Sequence, residues 1–196
     1  MNVPNSLTLF RIAIIPVFVG LFYLDAEWVN EVVTGLFVAA AVTDWLDGYL
    51  ARRLRQTSAF GAFLDPVADK LMVAAALVLL CVHAPPDVGG AFIAIPATII
   101  IGREITMSAL REWAASAGGD VHDAVAVNSF GKWKTATQLV AISILLGARD
   151  GFAWLGLSKD AGMLLTKAGS CCLWISAGLA LLSMGIYMSG ILKYMS

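Results

Sequence analysis

Charged side chains are scarce in this chain: only 14% of its 196 residues are Asp, Glu, Lys or Arg, against roughly a quarter in soluble domains. Together with 59% hydrophobic residues, that scarcity excludes an ordinary soluble globule. Histidine and cysteine are rarer still. His83 and His122 have no partner at ligand spacing, and Cys81, Cys171 and Cys172 lie in apolar runs without a C-x-x-C pattern. A disulfide framework and a zinc site are thereby disfavoured; the cysteines read as helix packing and the histidines as surface residues. Net charge is −1 and there is no lysine-rich tract, so no nucleic-acid partner is expected. Internal repeats and low-complexity segments are also missing.

What is present is long apolar sequence. A bilayer core takes about 20 apolar residues per helix, and apolar runs predict spans near 7–24, 32–52, 61–83, 90–113, 130–148 and 167–192. The expected fold is an all-α integral membrane protein with six transmembrane helices in one domain over 1–196. The opening "MNVPNSLTLFRIAIIPVFVGLFYL" has no basic leader or small-residue cleavage site, so it is expected to remain as the first span.

Charge is informative here by position. Arg11, then Arg52, Arg53 and Arg55, then Arg103, Arg111, Lys132 and Lys134, and finally Lys193 fall at one set of span ends, while Asp25, Glu27, Glu31 and Asp87 fall at the other. By the positive-inside rule both termini and the 52–61 and 113–130 loops face the cytoplasm. Trp28, Trp113, Trp133 and Trp154 fall near predicted interfaces, where an aromatic belt accounts for them.

Against this background "TDWLDGYLARRLRQTSAFGAFLDPVADK" stands out, with four aspartates in or beside apolar helices. On a helix of 3.6 residues per turn, Asp44, Asp47, Gly48, Ala51 and Arg52 share one face, and Gly61, Asp65 and Asp69 share a face of the next helix. A short connection makes the two helices antiparallel neighbours. Asp47 then faces Asp65, and Asp44 faces Asp69 in a second layer, roughly 12 Å in from the cytoplasmic ends of the helices. Four carboxylates so close repel one another unless a cation neutralises them. Oxygen donors without His or Cys favour Mg²⁺ or Mn²⁺ over Zn²⁺, and paired ions suit displacement at phosphorus. Helix glue between the aspartates and Arg52, Arg53 and Arg55 is the bland alternative; intramembrane acids are costly and usually functional. The small residues Gly48, Ala51 and Gly61 serve close helix packing or leave room for a base or diphosphate.

The pattern D-x-x-D-G-x-x-A-R, eight residues, then G-x-x-x-D-x-x-x-D resembles the signature of the CDP-alcohol phosphotransferases. Asp44, Asp47, Gly48, Ala51, Arg52, Gly61, Asp65 and Asp69 match it at every specified position. The resemblance implies the six-helix fold of that family and metal-dependent transfer of a phosphatidyl group from CDP-diacylglycerol to an alcohol, with release of CMP. It further implies two metal ions on Asp44, Asp47, Asp65 and Asp69, with Asp69 as the base on the acceptor hydroxyl. Asp47, Gly48, Ala51, Arg52 and Gly61 would surround the cytidine and diphosphate. A homodimer in a bacterial cytoplasmic membrane, with the site facing the cytoplasm, is implied as well.

Three shorter stretches bear on the acceptor. "PNSLTLFR", with Asn5, Thr8 and Arg11, "GREI", with Arg103 and Glu104, and "GKWKT", with Lys132 and Lys134, are similar to the branch of that family accepting sn-glycerol 3-phosphate. Asn5 and Thr8 are then expected beside the CDP-lipid. A phosphate dianion needs cations near the metals, and Arg103, Lys132, Lys134 and Arg11 are the candidates. Their plain alternative is anchoring and snorkelling at the membrane surface. Serine, inositol phosphate or phosphatidylglycerol are rival acceptors. Outside the family, an intramembrane prenyltransferase is disfavoured by the glycine and Ala-Arg positions. A divalent-cation transporter is disfavoured by apolar far half-spans.

Overall fold

The computed structural model describes the backbone of residues 3–54, 59–117 and 129–195, and their side chains except at 3–7, 45, 47–54, 59–63, 65–66, 117, 129–132 and 191–195. Among these residues there are six long helices and no strand. They are α1 (Val3–Phe22), α2 (Val29–Leu54), α3 (Ala59–Val82), α4 (Gly90–Ala117), α5 (Ser129–Gly147) and α6 (Lys159–Met195), with two short 3-10 turns, Ala148–Asp150 and Ala153–Leu155, between α5 and α6. Helices are what an apolar chain in lipid must form, because each then satisfies its own backbone groups.

Among the described residues, Gly90–Ser116 of α4 and Lys159–Gly190 of α6 are long and apolar enough to cross a membrane. α1 offers a shorter apolar stretch, Thr8–Phe22. Val17, Val78, Phe92, Ile95, Leu164, Leu182 and Ile186 stay exposed on the outer helix faces. Apolar spans and an apolar exterior together identify a membrane protein.

Among the described residues α1 packs against both α2 and α3. Phe18 and Phe22 of α1 are fully buried, and the Phe18 ring lies 6.4 Å from that of Phe37 on α2. α3 also packs on α4 and α5, α5 on α2 and α6, and α6 on α4.

Two contacts fix the second half of the bundle. A Cβ at Gly169 of α6 would come within 2.7 Å of Ile144 Cγ2 on α5, so glycine sets their approach, as small residues do between membrane helices. In α4, Pro96 has no N–H to donate to the Phe92 carbonyl one turn back. Trp174 of α6 supplies that bond instead, its indole N–H donating to Phe92 O at 3.0 Å.

One end of the bundle is closed by Arg149. Its guanidinium donates to Phe22 O at the C-terminus of α1 (3.1 Å) and lies 3.7 Å over the Phe22 ring, an arrangement suited to a helix C-terminus. The Phe22 ring also meets His83 edge-on, with centroids 5.7 Å apart. Asp25, Glu27, Glu31 and Asp150 line an open cavity of about 700 Å³ at this end.

Candidate active site

Arg11 of α1, Asp44 of α2 and Asp69 of α3 line a cavity of about 20 Å³, closed by Phe37, Ala40, Ala41, Met72, Val73 and Leu139. That volume holds one water or one ion, since a water needs roughly 10–15 Å³ on this measure. Asp44 comes from the middle of α2, where Thr43 returns its hydroxyl to Ala39 O and Ala40 O at 2.8 and 2.9 Å. Arg11 Nη1 donates to Asp44 Oδ1 at 2.5 Å. The arginine side chain is 3% exposed and the aspartate 41%, so the pair is anchored at its cationic end and open at its anionic end. Beside this cavity is an apolar groove of about 390 Å³ between α2 and α5. It shares Ala41 and Leu139 with the cavity and adds Val38, Val42, Val140, Ser143 and Ile144.

A second charged group lies next to the first. Arg103 Nη1 and Lys134 Nζ both donate to one oxygen, Oε1 of Glu104, the former at 3.2 Å. Arg103 Nη2 donates to Ser183 Oγ on α6 at 3.1 Å. Ser176 of α6 donates to the Lys134 carbonyl at 3.3 Å, so α4, α5 and α6 meet around these charges. Lys70, the residue after Asp69, donates to Ser108 Oγ at 2.5 Å, and Ser108 donates to Glu104 O at 2.7 Å. Asp69 is within electrostatic reach of Asp44 and Arg11 on one side and of Glu104 and Lys134 on the other. The two groups therefore form one continuous site.

The structure thus brings Asp44, Asp69, Arg11, Arg103 and Lys134 together. Thr8 is buried on α1, one turn before Arg11. The side chains of Asn5, Asp47, Gly48, Ala51, Arg52, Gly61, Asp65 and Lys132 lie outside the described residues. Sequence reasoning gave no task to Glu104, Lys70, Ser108 or Ser183. Glu104 lies inside "GREI", where its neighbour Arg103 was the one local signal; the Lys134–Glu104, Arg103–Ser183 and Lys70–Ser108 bonds join residues far apart in the chain and leave no local pattern.

Among the described residues no group of three or more His, Cys, Asp or Glu could hold a metal ion. Asp44 and Asp69 do fit a shared hard cation: two carboxylates on one ion-sized cavity, with only oxygen donors.

The chain matches the CDP-alcohol phosphatidyltransferase family over residues 1–185. It is 52% identical, over 98% of its length, to an Arabidopsis thaliana chloroplastic/mitochondrial protein named CDP-diacylglycerol–glycerol-3-phosphate 3-phosphatidyltransferase 1. An Oryza sativa protein named cardiolipin synthase (CMP-forming) is 51% identical over 96% of the chain. A Pseudomonas fluorescens protein named CDP-diacylglycerol–glycerol-3-phosphate 3-phosphatidyltransferase is 48% identical over 89% of the chain and 86% of its own length. The chain spans 64% of the Arabidopsis protein and 56% of the rice protein. A match over nearly the whole chain, with the aspartate signature on α2 and α3, places this protein in the CDP-alcohol phosphatidyltransferase family.

Proposed function

We propose that this protein transfers a phosphatidyl group from CDP-diacylglycerol to sn-glycerol 3-phosphate, giving phosphatidylglycerophosphate and CMP. The observation that carries the reading is the adjacency of two unlike subsites. A carboxylate cavity at Asp44 and Asp69 suits the donor diphosphate and its cations, and a cationic cluster at Arg103 and Lys134 suits the acceptor phosphate. Relatives named for this reaction support it.

In this reading Asp44, Asp47, Asp65 and Asp69 hold Mg²⁺ or Mn²⁺, two ions, which when bound neutralise the diphosphate. Arg52 holds diphosphate oxygens through charge-assisted bonds, with Asn5, Thr8, Gly48, Ala51 and Gly61 around the nucleotide. Asp69 accepts the proton of the acceptor's primary hydroxyl. That oxygen then forms a bond to the phosphorus carrying diacylglycerol, and the bond from this phosphorus to the bridging oxygen breaks to release CMP. Arg103, Lys132, Lys134 and Arg11 orient the acceptor by its phosphate. The apolar groove beside the cavity suits a donor acyl chain, since it shares Ala41 and Leu139 with the carboxylate site.

The same reading makes the chain one six-span domain over 1–196 in a bacterial cytoplasmic membrane, with the basic, catalytic end toward the cytoplasm, acting as a homodimer. A second acceptor, phosphatidylglycerol, is favoured by the rice relative's name. Purified protein given CDP-diacylglycerol and Mg²⁺ with each candidate acceptor separates the two. CMP release that depends on glycerol 3-phosphate supports the first reading, and release with phosphatidylglycerol alone supports the second.

A further inference from the structure

Two cations share a single carboxylate where α4 meets α5, and a third cation on α3 lies within electrostatic reach of it. Arg103 and Lys134 are buried, with side chains 7% and 4% exposed, and both donate to Glu104 Oε1. Arg103 Nε is buried with no hydrogen-bond partner. Lys70 is held through Ser108 and lies within electrostatic reach of Glu104. Burying a cation is costly unless an anion is supplied, so Glu104 explains why Arg103 and Lys134 can stay charged inside the bundle. Glu104 and, within reach of Lys134, Asp69 stand against three cations, which leaves net positive charge, and a guanidinium donor faces no acceptor. Stability alone does not call for this excess; an anion arriving from solution would balance it.

We propose that Glu104 is the resident counter-anion of the acceptor subsite, positioning Arg103 and Lys134 through their shared bond to Oε1, and that Lys70 completes the charge surplus that selects a phosphate dianion. The proposal rests on the reading that glycerol 3-phosphate is the acceptor. When no acceptor is bound, Glu104 Oε1 occupies the place of one phosphate oxygen in the Arg103–Lys134 fork. The acceptor's phosphate takes over those donors and gains Arg103 Nε and Lys70 Nζ. Glu104 is thus a positioning residue with an opposing electrostatic effect: it holds the cations in place and weakens their attraction for the incoming anion.

These roles give opposite signs in one assay. CMP release is measured from CDP-diacylglycerol in detergent with Mg²⁺ while glycerol 3-phosphate is varied, and inorganic phosphate serves as competitor. Lys70→Met is expected to raise KM for glycerol 3-phosphate and Ki for inorganic phosphate by about tenfold, the effect of losing one charge next to a dianion. Glu104→Gln is expected to lower the phosphate Ki several-fold while lowering kcat, and Glu104→Asp to restore both toward wild type. KM for CDP-diacylglycerol stays within about twofold throughout. If Glu104→Gln fails to fold, Lys70→Met and phosphate competition in the wild type still decide. Both variants moving the phosphate Ki in the same direction, or Lys70→Met leaving it unchanged, overturns the proposal. Wild-type protein that releases no CMP with glycerol 3-phosphate overturns the functional reading on which the proposal rests.

Discussion

Arg11 Nη1 donates to Asp44 Oδ1 at 2.5 Å, tying the buried middle of α1 to α2 at the wall of the cavity that Asp69 also lines. Without a cation, this guanidinium offsets part of the negative charge that two facing carboxylates concentrate there. Arg11 thereby acts on the donor side of the site as well as lying within electrostatic reach of Asp69. Arg11→Met is expected to destabilise the protein by about 1–2 kcal/mol. That is less than the full penalty for breaking a buried pair, because Asp44 remains partly solvated. Thermal unfolding in detergent reads this directly, and Arg11→Lys should recover part of the loss. An unchanged midpoint in Arg11→Met would remove the structural role.

Asp69→Asn is expected to lower turnover by at least about 10²-fold, the scale of losing a positioned base, while leaving the melting temperature nearly unchanged. The side chain is exposed to the site rather than packed in the core, so folding does not depend on it. Wild-type rates in the variant would eliminate Asp69 as the base.

Removing divalent cations with a chelator should abolish CMP release, and Mg²⁺ or Mn²⁺ should restore it where Zn²⁺ does not, because the donors are carboxylate oxygens. Asp44→Asn should raise the Mg²⁺ concentration needed for half-maximal rate. Full activity in chelator would contradict the cation site.

Trp174→Phe tests the repair of the Pro96 gap. It keeps an aromatic ring against Phe92 but leaves the Phe92 carbonyl without its indole donor. A loss of roughly 1–3 kcal/mol is expected for the unsatisfied carbonyl. Specific activity of the folded fraction should persist, since this contact is far from the carboxylates. Equal stability of variant and wild type would mean that another group satisfies the carbonyl.

The helices were legible in the sequence because apolar runs in lipid have few alternatives, and Asp44 and Asp69 were legible because spacings of three, four and eight specify helix faces. The burial of Phe18 and Phe22 was not, because it is decided by packing between residues far apart in sequence. Arg11 illustrates the same limit. Its place at the start of an apolar helix shows a cation that must find a partner, yet nothing local says that the partner is Asp44 on another helix. Lys70 and Ser108 were hidden for the same reason, while Glu104 stood in plain view between Arg103 and an apolar run without any spacing to reveal its two cations.

The central claim is that the donor subsite at Asp44 and Asp69 and the acceptor subsite at Arg103 and Lys134 serve one transfer. Its most direct test is to supply the purified protein with CDP-diacylglycerol, Mg²⁺ and isotopically labelled sn-glycerol 3-phosphate, and to identify the lipid product by mass spectrometry alongside released CMP. The account predicts labelled phosphatidylglycerophosphate in a one-to-one ratio with CMP. CMP formed without label in the lipid, or CMP formed only when phosphatidylglycerol is added, would contradict it.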